Sequence, residues 1–497
     1  MKGKIVLKRK AIIIGAGIGG MATAIRLLNR GFQVQIYEKE KFIGGKVNIL
    51  EKDGFKFDLT ASILMTPDIY KEIFFDIGKN PDEYLKFNKI DPFYRVFFDT
   101  GKYMDFYENI NKTIEIIESI SIHDSIGYMK FIDKTYEKYK ISDENFLRCN
   151  FDEFNSFFNI NTFKKALKLK PFKSTYNYLK KYIKDERIIN FLCFQAMYIG
   201  VSPFEKSNVY TLIPLVSQLY GLRLLDGGMY SYINALEKVI NELGGEIYTE
   251  AEVDKMLINE GVAVGIVSND NVYKSDIVVC NTEYSYAVEK LIGEEFNTSK
   301  DSRLKHSPSV FIIYLGLDKK YEKLMVHNQF LSKNFRNSIE SFFHGQVCSE
   351  PSIYIYSPSR IDSNMAPHGC ESINVMIRVP NLIQSGEKWD EEYIESIRNI
   401  LIDKLKMIEG MEDIEEHIIL EEYLTPNDLS QRFNAYGGSA FSLSHNLFQT
   451  NYFRPHIKHK KIKNLYFTGG SIHPGTGVSL VLLNSKLVEE SVLRDMK

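Results

Sequence analysis

Ala11-Ile12-Ile13-Ile14-Gly15-Ala16-Gly17-Ile18-Gly19-Gly20 is the stretch that decides the fold. A β-branched run that ends in glycine reads as a strand entering a tight turn, and Met21 to Asn29 then reads as a helix. Gly15 permits the turn, Gly17 lets a pyrophosphate approach the backbone, and Gly20 lets the helix pack closely on the strand. With Gly19 between them, these four glycines are candidate cofactor contacts. The helix points its positive N-terminal end at the phosphates. Gly31 stops it, and Gln33 to Tyr37 makes a second strand. Glu38 stands 18 residues beyond Gly20, where a carboxylate accepts hydrogen bonds from both ribose hydroxyls. Strand, glycine turn, helix and carboxylate in register predict dinucleotide binding, and the turn by itself does not separate FAD from NAD.

Outward from this unit, glycines recur at distant places. Gly44-Gly45-Lys46 makes a second close-approach turn and brings a cation near the ribose or phosphates. Gly244 to Tyr248, Val253, and Ser275 to Asn281 read as strands added to the same sheet. Leu465 to Gly470 is a further strand ending in glycines, and the segment from Val478 reads as a helix whose N-terminus faces a flavin. A chain that leaves and re-enters its nucleotide domain in this way resembles the amine-oxidase-like flavoproteins rather than a nicotinamide dehydrogenase. The predicted class is α/β, with a Rossmann-like FAD-binding domain of the glutathione-reductase and amine-oxidase type. It is assembled from residues 1–95, 221–294 and 431–497. A helical, membrane-facing cap takes 96–220, and an inserted, sheet-based substrate domain takes 295–430. In the substrate domain, Val310 to Leu315 and Ile353 to Tyr356 read as strands.

The length of 497 residues suffices for two or three domains and for a core that encloses a large cofactor. Lys plus Arg total 62 against 64 Asp plus Glu, so a net charge of −2 gives no global attraction to nucleic acid, which is not an expected partner. Five widely spaced cysteines without a Cys-x-x-Cys pair argue against a disulfide framework or a zinc site and fit a reducing cytoplasm. No metal is expected. The basic start, Met1 to Lys10, precedes an apolar run of only four residues, where a secretory segment needs roughly 7–15. No stretch approaches the roughly 20 apolar residues that span a bilayer. Any membrane contact is therefore peripheral.

One local feature invites such contact. From Asn161 to Lys184 there are eight lysines and no acidic residue, interleaved with aromatic and aliphatic side chains. Lys164, Lys165, Lys168, Lys180 and Lys181 are the candidate interfacial cations, each worth about 1 kcal/mol near anionic lipid. The alternative is a solvated lysine face on a cap helix. Aromatic content is 13%, with 33 Phe, 30 Tyr and one Trp, which fits an aromatic-walled tunnel or a well-filled ordinary core.

Several strings together resemble one family. They are Ala11 to Gly20, Gly44-Gly45-Lys46 through Asp53 to Asp58, the turn Gly227-Gly228-Met229-Tyr230, and Gly470-Ser471-Ile472-His473-Pro474-Gly475-Thr476-Gly477-Val478. They resemble the bacterial phytoene desaturases over nearly the whole chain. Phe194 to Gly200, Thr425-Pro426-Asn427-Asp428 and Gly437 to Phe441 look most like the dehydrosqualene (diapophytoene) branch, which acts on thirty-carbon substrates. The chain departs from the family at Thr60-Ala61, where Gly-Pro is usual, and at Ile472 and Ser479, where Thr and Pro are common.

The resemblance implies a non-covalent FAD, a tunnel for an extended isoprenoid, and stepwise introduction of double bonds in carotenoid biosynthesis. By position it carries Gly15, Gly17, Gly20, Glu38 and Lys46 over as FAD contacts, Val253 as an adenine-side backbone contact, and Gly470 and Val478 as neighbours of the flavin end. A hydrocarbon offers few polar handles, so binding comes from apolar burial at about 0.8 kcal/mol per CH₂. Hydride passes from an allylic carbon to the flavin, and the neighbouring proton goes to a base or to water. His473 is the candidate base or flavin neighbour, its other reading being a histidine that braces the loop. The electron acceptor is oxygen or a quinone, and the expected location is the cytoplasm, at the inner face of the cell membrane. Other readings are a carotenoid isomerase or terminal oxidase of the same superfamily, or a non-catalytic prenyl-binding protein like the Rab escort and GDP-dissociation-inhibitor group.

Overall fold

Five parallel strands form the sheet on which everything else is hung. Their order is Leu465–Phe467, Ile277–Cys280, Lys10–Ile14, Gln33–Tyr37 and Glu246–Tyr248. The chain therefore builds this sheet from its beginning, its middle and its tail. In this computed structural model the described residues are 9–205, 208–296, 298 and 301–496, so the first eight residues of the basic N-terminal stretch lie outside them.

The helix Ile18–Asn29 follows the first strand directly and is buried from Ile18 through Leu28. It is covered by the helix Val478–Asp495, whose Val481, Leu482, Leu487, Val488 and Val492 belong to the same apolar core. A helix with no polar face needs protein on all sides, and the sheet and this late helix supply it. A three-stranded antiparallel meander, Val253–Asn259, Val262–Ser268 and Asn271–Lys274, is inserted before the strand Ile277–Cys280.

The second sheet has seven strands in the order Ile418–Leu424, Ser309–Leu317, Glu371–Val379, Ile353–Tyr356, His327–Leu331, Tyr94–Phe98 and Tyr103–Phe106. Its strand Ser309–Leu317 is buried along its whole length, and the period of two explains how. Phe311, Ile313, Leu315 and Leu317 pack with Ile397, Leu401 and Leu405 of the helix Glu391–Lys406. Val310, Ile312 and Tyr314 face the other way, into a core shared with Ile188, Ile189 and Leu192 of the helix Glu186–Ala196.

One boundary expected from the sequence is corrected here. A division at 95/96 cuts through the strand Tyr94–Phe98, which pairs in parallel with His327–Leu331, while Tyr103–Phe106 pairs with it on the other side. Residues 94–106 are therefore part of the seven-stranded sheet, and neither nucleotide domain nor cap. Alternating Tyr-Arg-Val-Phe-Phe carries no label saying which of two sheets it joins; the long-range pairing decides. Helices begin at Ile110–Ile120 and continue through Ile122–Ser142, Ile160–Leu169, Glu186–Ala196 and Leu212–Tyr220. Among the described residues no helix is long and apolar enough to cross a membrane.

Candidate functional site

A single cavity of about 1390 Å³ runs from the glycine turn of the first strand, between the two sheets, to the helix Ile160–Leu169. Ordinary small-molecule pockets span roughly 300–1,000 Å³, so this one has room for more than one molecule. Its walls change character along the way. Glycines, Glu38 and Lys46 line one end; Phe146, Phe157, Phe163, Leu167, Leu169 and Phe172 line the other.

At the first end the local sequence dictates the geometry. Gly15 has φ +93°, a conformation that strains any L side chain, and the turn brings its N–H to the Tyr37 carbonyl at 2.8 Å. A Cβ on Gly20 would sit 2.2 Å from the Gly15 carbonyl, so the close crossing of helix on strand requires glycine there. Gly20 itself does not line the cavity, whereas Gly15, Gly17 and Gly19 do. Gly17 is the N-cap of the helix Ile18–Asn29, and no side chain caps it. Its first N–H groups are left for an anion. Glu38 is buried, with Oε2 accepting from the Ala16 N–H at 2.7 Å and Oε1 from the Glu40 N–H at 3.0 Å. Burial holds its carboxyl above the usual carboxylate range, and the two backbone donors oppose that rise. Each oxygen keeps a lone pair for a ribose hydroxyl. Val253 lines the cavity beside it.

In the middle, Lys46 donates to the carbonyls of Ser439 and Ala440 at 3.1 and 3.2 Å. Burial lowers its ammonium pKa, with Glu283 opposing. Glu283 Oε1 accepts from the Ser442 and Ser471 hydroxyls, both at 2.8 Å, and so ties the segment after Gly437 to the loop after Phe467. Gly470 and Val478 both line the cavity, and the helix Val478–Asp495 starts at Gly477 without a side-chain cap. Two uncapped helix N-termini thus meet one cavity from opposite segments of the chain. That arrangement fits a molecule carrying phosphates at one end and an electron-accepting ring at the other.

His473 is not where a base belongs. It does not line the cavity. Its ring is buried, lies 5.3 Å from the Phe151 ring, and its Nε2–H donates to the Phe146 carbonyl at 2.9 Å. Burial lowers its pKa to about 4, so the ring is neutral near pH 7. Nδ1 has no partner among the described residues. The geometry is that of a brace between the loop and the Phe146 turn.

The five lysines divide. Lys164 lies at the cavity wall and is exposed, Lys168 is exposed on the same helix, and Lys165 donates to Asn145. Lys180 pairs with Glu186 at 3.0 Å, and Lys181 stands 5.9 Å from the Tyr178 ring; neither lines the cavity. On the helix at the mouth, Phe163 is 64% exposed and Leu167 51%. Phe158, Ile160, Phe172 and Phe448 are exposed as well. A contiguous apolar patch around an opening is unusual for a surface facing only water.

Sequence reasoning missed four contributors. Asn281 and Glu283 follow the strand Ile277–Cys280 immediately, and the carboxyl ends of parallel strands are where ligands bind, so that signal was available. Arg454 is fully buried, donating to the carbonyls of Gln449, Leu443 and Gly470 at 3.1, 3.4 and 2.7 Å, and nothing local announces it. His445 lines the cavity and accepts from the Thr476 N–H at 3.3 Å.

Glycine cradle, carboxylate, returning strand and uncapped final helix together define a flavoprotein oxidoreductase. The family model described as flavin containing amine oxidoreductase matches residues 18–484, and the chain belongs to that family. Its flavin cofactor follows from the membership. The chain is 34% identical over 498 residues to 4,4'-diapophytoene desaturase (4,4'-diaponeurosporene-forming) of Staphylococcus aureus strain Newman, across 98% of this chain and 99% of that one. Among solved structures, an oxidoreductase from Methanosarcina mazei superposes with a TM-score of 0.67 at 18% identity, over 97% of this chain and 100% of its own. A putrescine oxidase gives 0.63 at 13% identity over 99% of each chain. Both of these likenesses speak to the fold.

Proposed function

We propose that this protein desaturates a long isoprenoid hydrocarbon of the dehydrosqualene type with FAD as its flavin, in carotenoid biosynthesis. The observation that carries the reading is the one continuous cavity, polar and glycine-lined at two helix N-termini and apolar from there to an exposed rim. The relative from Staphylococcus aureus, aligned almost end to end, is a desaturase of 4,4'-diapophytoene, and this supports the substrate class.

Bound in the cradle, FAD supplies the acceptor for a hydride leaving an allylic carbon. The protein's share is binding, orientation and exclusion of water. Gly17 and the Ile18–Asn29 helix hold phosphate, Glu38 holds ribose, and Lys46 brings a cation to the middle of the cavity. The uncapped N-terminus of Val478–Asp495 would favour negative charge on an electron-accepting ring held in the cavity. Phe146, Phe157 and Leu169 hold the hydrocarbon by apolar burial, at about 0.8 kcal/mol per CH₂.

We infer peripheral attachment to the cytoplasmic face of the membrane. Exposed Phe163 and Leu167 with Lys164 and Lys168 beside them suit the bilayer interface, and a water-insoluble substrate enters most simply from lipid. The acceptor that finally takes the electrons is oxygen or a quinone.

The test is expression in a host that accumulates dehydrosqualene, with pigment analysis and acid extraction of the cofactor. Yellow polyenes and released FAD are expected. Unchanged dehydrosqualene in cells that contain the yellow, FAD-loaded protein would overturn the substrate assignment.

A further inference from the structure

Among the described residues two arginines with little exposure, Arg378 and Arg454, reach no carboxylate, and of these two only Arg378 lines the cavity. Arg26 pairs with Asp76 at 2.6 Å, Arg95 with Asp105 at 2.8 Å, and Arg360 with Glu371 at 2.9 Å. Arg454 donates from Nη1 and Nη2 to three backbone carbonyls, without lining the cavity, while its Nε has no partner among the described residues. Arg378, on the strand Glu371–Val379, reaches no carboxylate among the described residues. Its Nε donates to the Met197 carbonyl at 3.3 Å, its Nη1 meets Met376 Sδ at 2.7 Å, and its guanidinium lies 4.7 Å from the Phe441 ring. The remaining open side faces the cavity, in company with Tyr198, Tyr354 and Ser62.

These neighbours form a polar island in an apolar wall. Tyr198 Oη accepts from Gln329 Nε2 at 2.7 Å, and Tyr354 is hydrogen-bonded to His327 Nδ1 at 2.6 Å and to Ser62 Oγ at 3.1 Å. His327 is held neutral by burial, its pKa lowered to about 3, so it adds no charge of its own. Burial lowers the Arg378 pKa to about 10, with Tyr198 and Tyr354 opposing, which leaves it a cation at neutral pH. An uncompensated guanidinium is costly in such surroundings and works against positive charge developing on a hydrocarbon. What it favours is an oxygen that gains negative charge.

We infer that Arg378, with the Tyr198 hydroxyl near it, is the seat for a carbonyl oxygen of a lipid-soluble quinone, the acceptor that takes the electrons removed from the hydrocarbon. The quinone ring and tail lie against the same apolar walls that hold the substrate, and the guanidinium offers its free N–H groups to the carbonyl. The net exchange balances: a CH–CH unit loses two electrons and two protons and becomes C=C, while the quinone's two carbonyls take them and become hydroxyls. Of the two acceptors named above, this selects the quinone. It rests on the flavoprotein reading but not on the identity of the hydrocarbon.

The test uses purified holoenzyme with its flavin reduced by light, in the absence of any hydrocarbon. Reoxidation is followed with menadione and, separately, with dioxygen; menadione affinity is read from fluorescence quenching. In Arg378→Met we expect the ratio of menadione-driven to dioxygen-driven reoxidation to fall at least tenfold and the menadione Kd to rise at least fivefold, with Arg378→Lys between variant and parent. A ratio and Kd within twofold of the parent in Arg378→Met overturn the assignment. Should that variant lose its flavin, the parent alone decides: saturating squalene in micelles raises the menadione Kd at least threefold if both share the cavity, and an unmoved Kd sinks the proposal. Either negative result leaves the desaturation of dehydrosqualene standing.

Discussion

Asn484 Nδ2 donates to the His473 carbonyl at 2.7 Å, from the second turn of the last helix to the loop that follows the last strand. The same amide's Oδ1 accepts from Thr468 Oγ1 at 2.7 Å and from the Gly469 N–H at 3.1 Å. One fully buried asparagine thus sets the path of the loop bearing Gly470. Asn484→Ala leaves the His473 carbonyl and the Gly469 N–H without this partner and removes the acceptor of the Thr468 hydroxyl, which still meets Thr23. Each unpaired group costs about 1–3 kcal/mol when buried, though not additively. We expect a loss of about 2–4 kcal/mol in urea unfolding and flavin release at lower denaturant than in the parent.

Glu38 makes a different kind of prediction, since a conservative change spares one of its two backbone contacts. Glu38→Gln keeps an acceptor for the Ala16 N–H at one oxygen and loses the charge. The flavin Kd should rise about tenfold, measured by the recovery of free-flavin fluorescence on dilution, with the melting temperature of the flavin-free protein little changed. An unchanged Kd would remove Glu38 from the cradle.

Asp58 ties the turn before the helix Tyr230–Glu242 to the strand Ile353–Tyr356. Its Oδ2 accepts from the Tyr356 hydroxyl at 2.9 Å and its Oδ1 from the Met229 N–H at 2.7 Å. Burial raises the carboxyl to about 7. Between about pH 4, where the unfolded group titrates, and pH 7, the folded state holds a proton that the unfolded chain has released. Stability from this group therefore falls as pH rises through that window, by at most about 4 kcal/mol, and levels off above it. Asp58→Asn should flatten the stability profile between pH 4 and 7. Parallel profiles for parent and variant in urea titrations would contradict it.

His473 gives the opposite slope. With its pKa lowered to about 4, the unfolded chain binds a proton between about pH 6.5 and 4 that the folded chain refuses, so stability drops as pH falls through that range. Because its Nε2–H is committed to Phe146, His473→Gln should keep turnover within about threefold and leave the pH–rate profile in place while lowering the melting temperature. A lost limb in that profile would restore His473 as a base.

At the mouth, Lys164→Gln with Lys168→Gln removes two cations worth about 1 kcal/mol each near anionic lipid. Partitioning onto vesicles containing phosphatidylglycerol should weaken roughly 30-fold, with little change on neutral vesicles. Equal binding by parent and variant would mean that the lysine face merely meets water.

Much of the fold was legible because its signals are local. The run Ala11 to Gly20 and the carboxylate at Glu38 lie within one strand-helix-strand unit, where turn geometry depends on residues next to one another. The strand Ile353–Tyr356 and the helix starting at Val478 were equally plain. What could not be read depends on distance through the chain. Tyr94–Phe98 joins a sheet whose neighbour arrives more than 200 residues later, and Arg378 is set apart only by carboxylates that fail to reach it. The direction in which His473 turns depends on Phe146, 327 positions away. Glu283 stood in a readable place, just past a parallel strand, and its two serine partners did not.

The parallel sheet draws on three separated segments, and this orders events at the ribosome. The Ile18–Asn29 helix is made early, yet the face that receives Val478–Asp495 stays bare until residues beyond 465 have left the exit tunnel. From residue 280 until then the nascent chain carries an unpaired edge at Ile277–Cys280, together with a greasy helix in need of shelter, so cofactor capture waits for the strand Leu465–Phe467 and the helix Val478–Asp495.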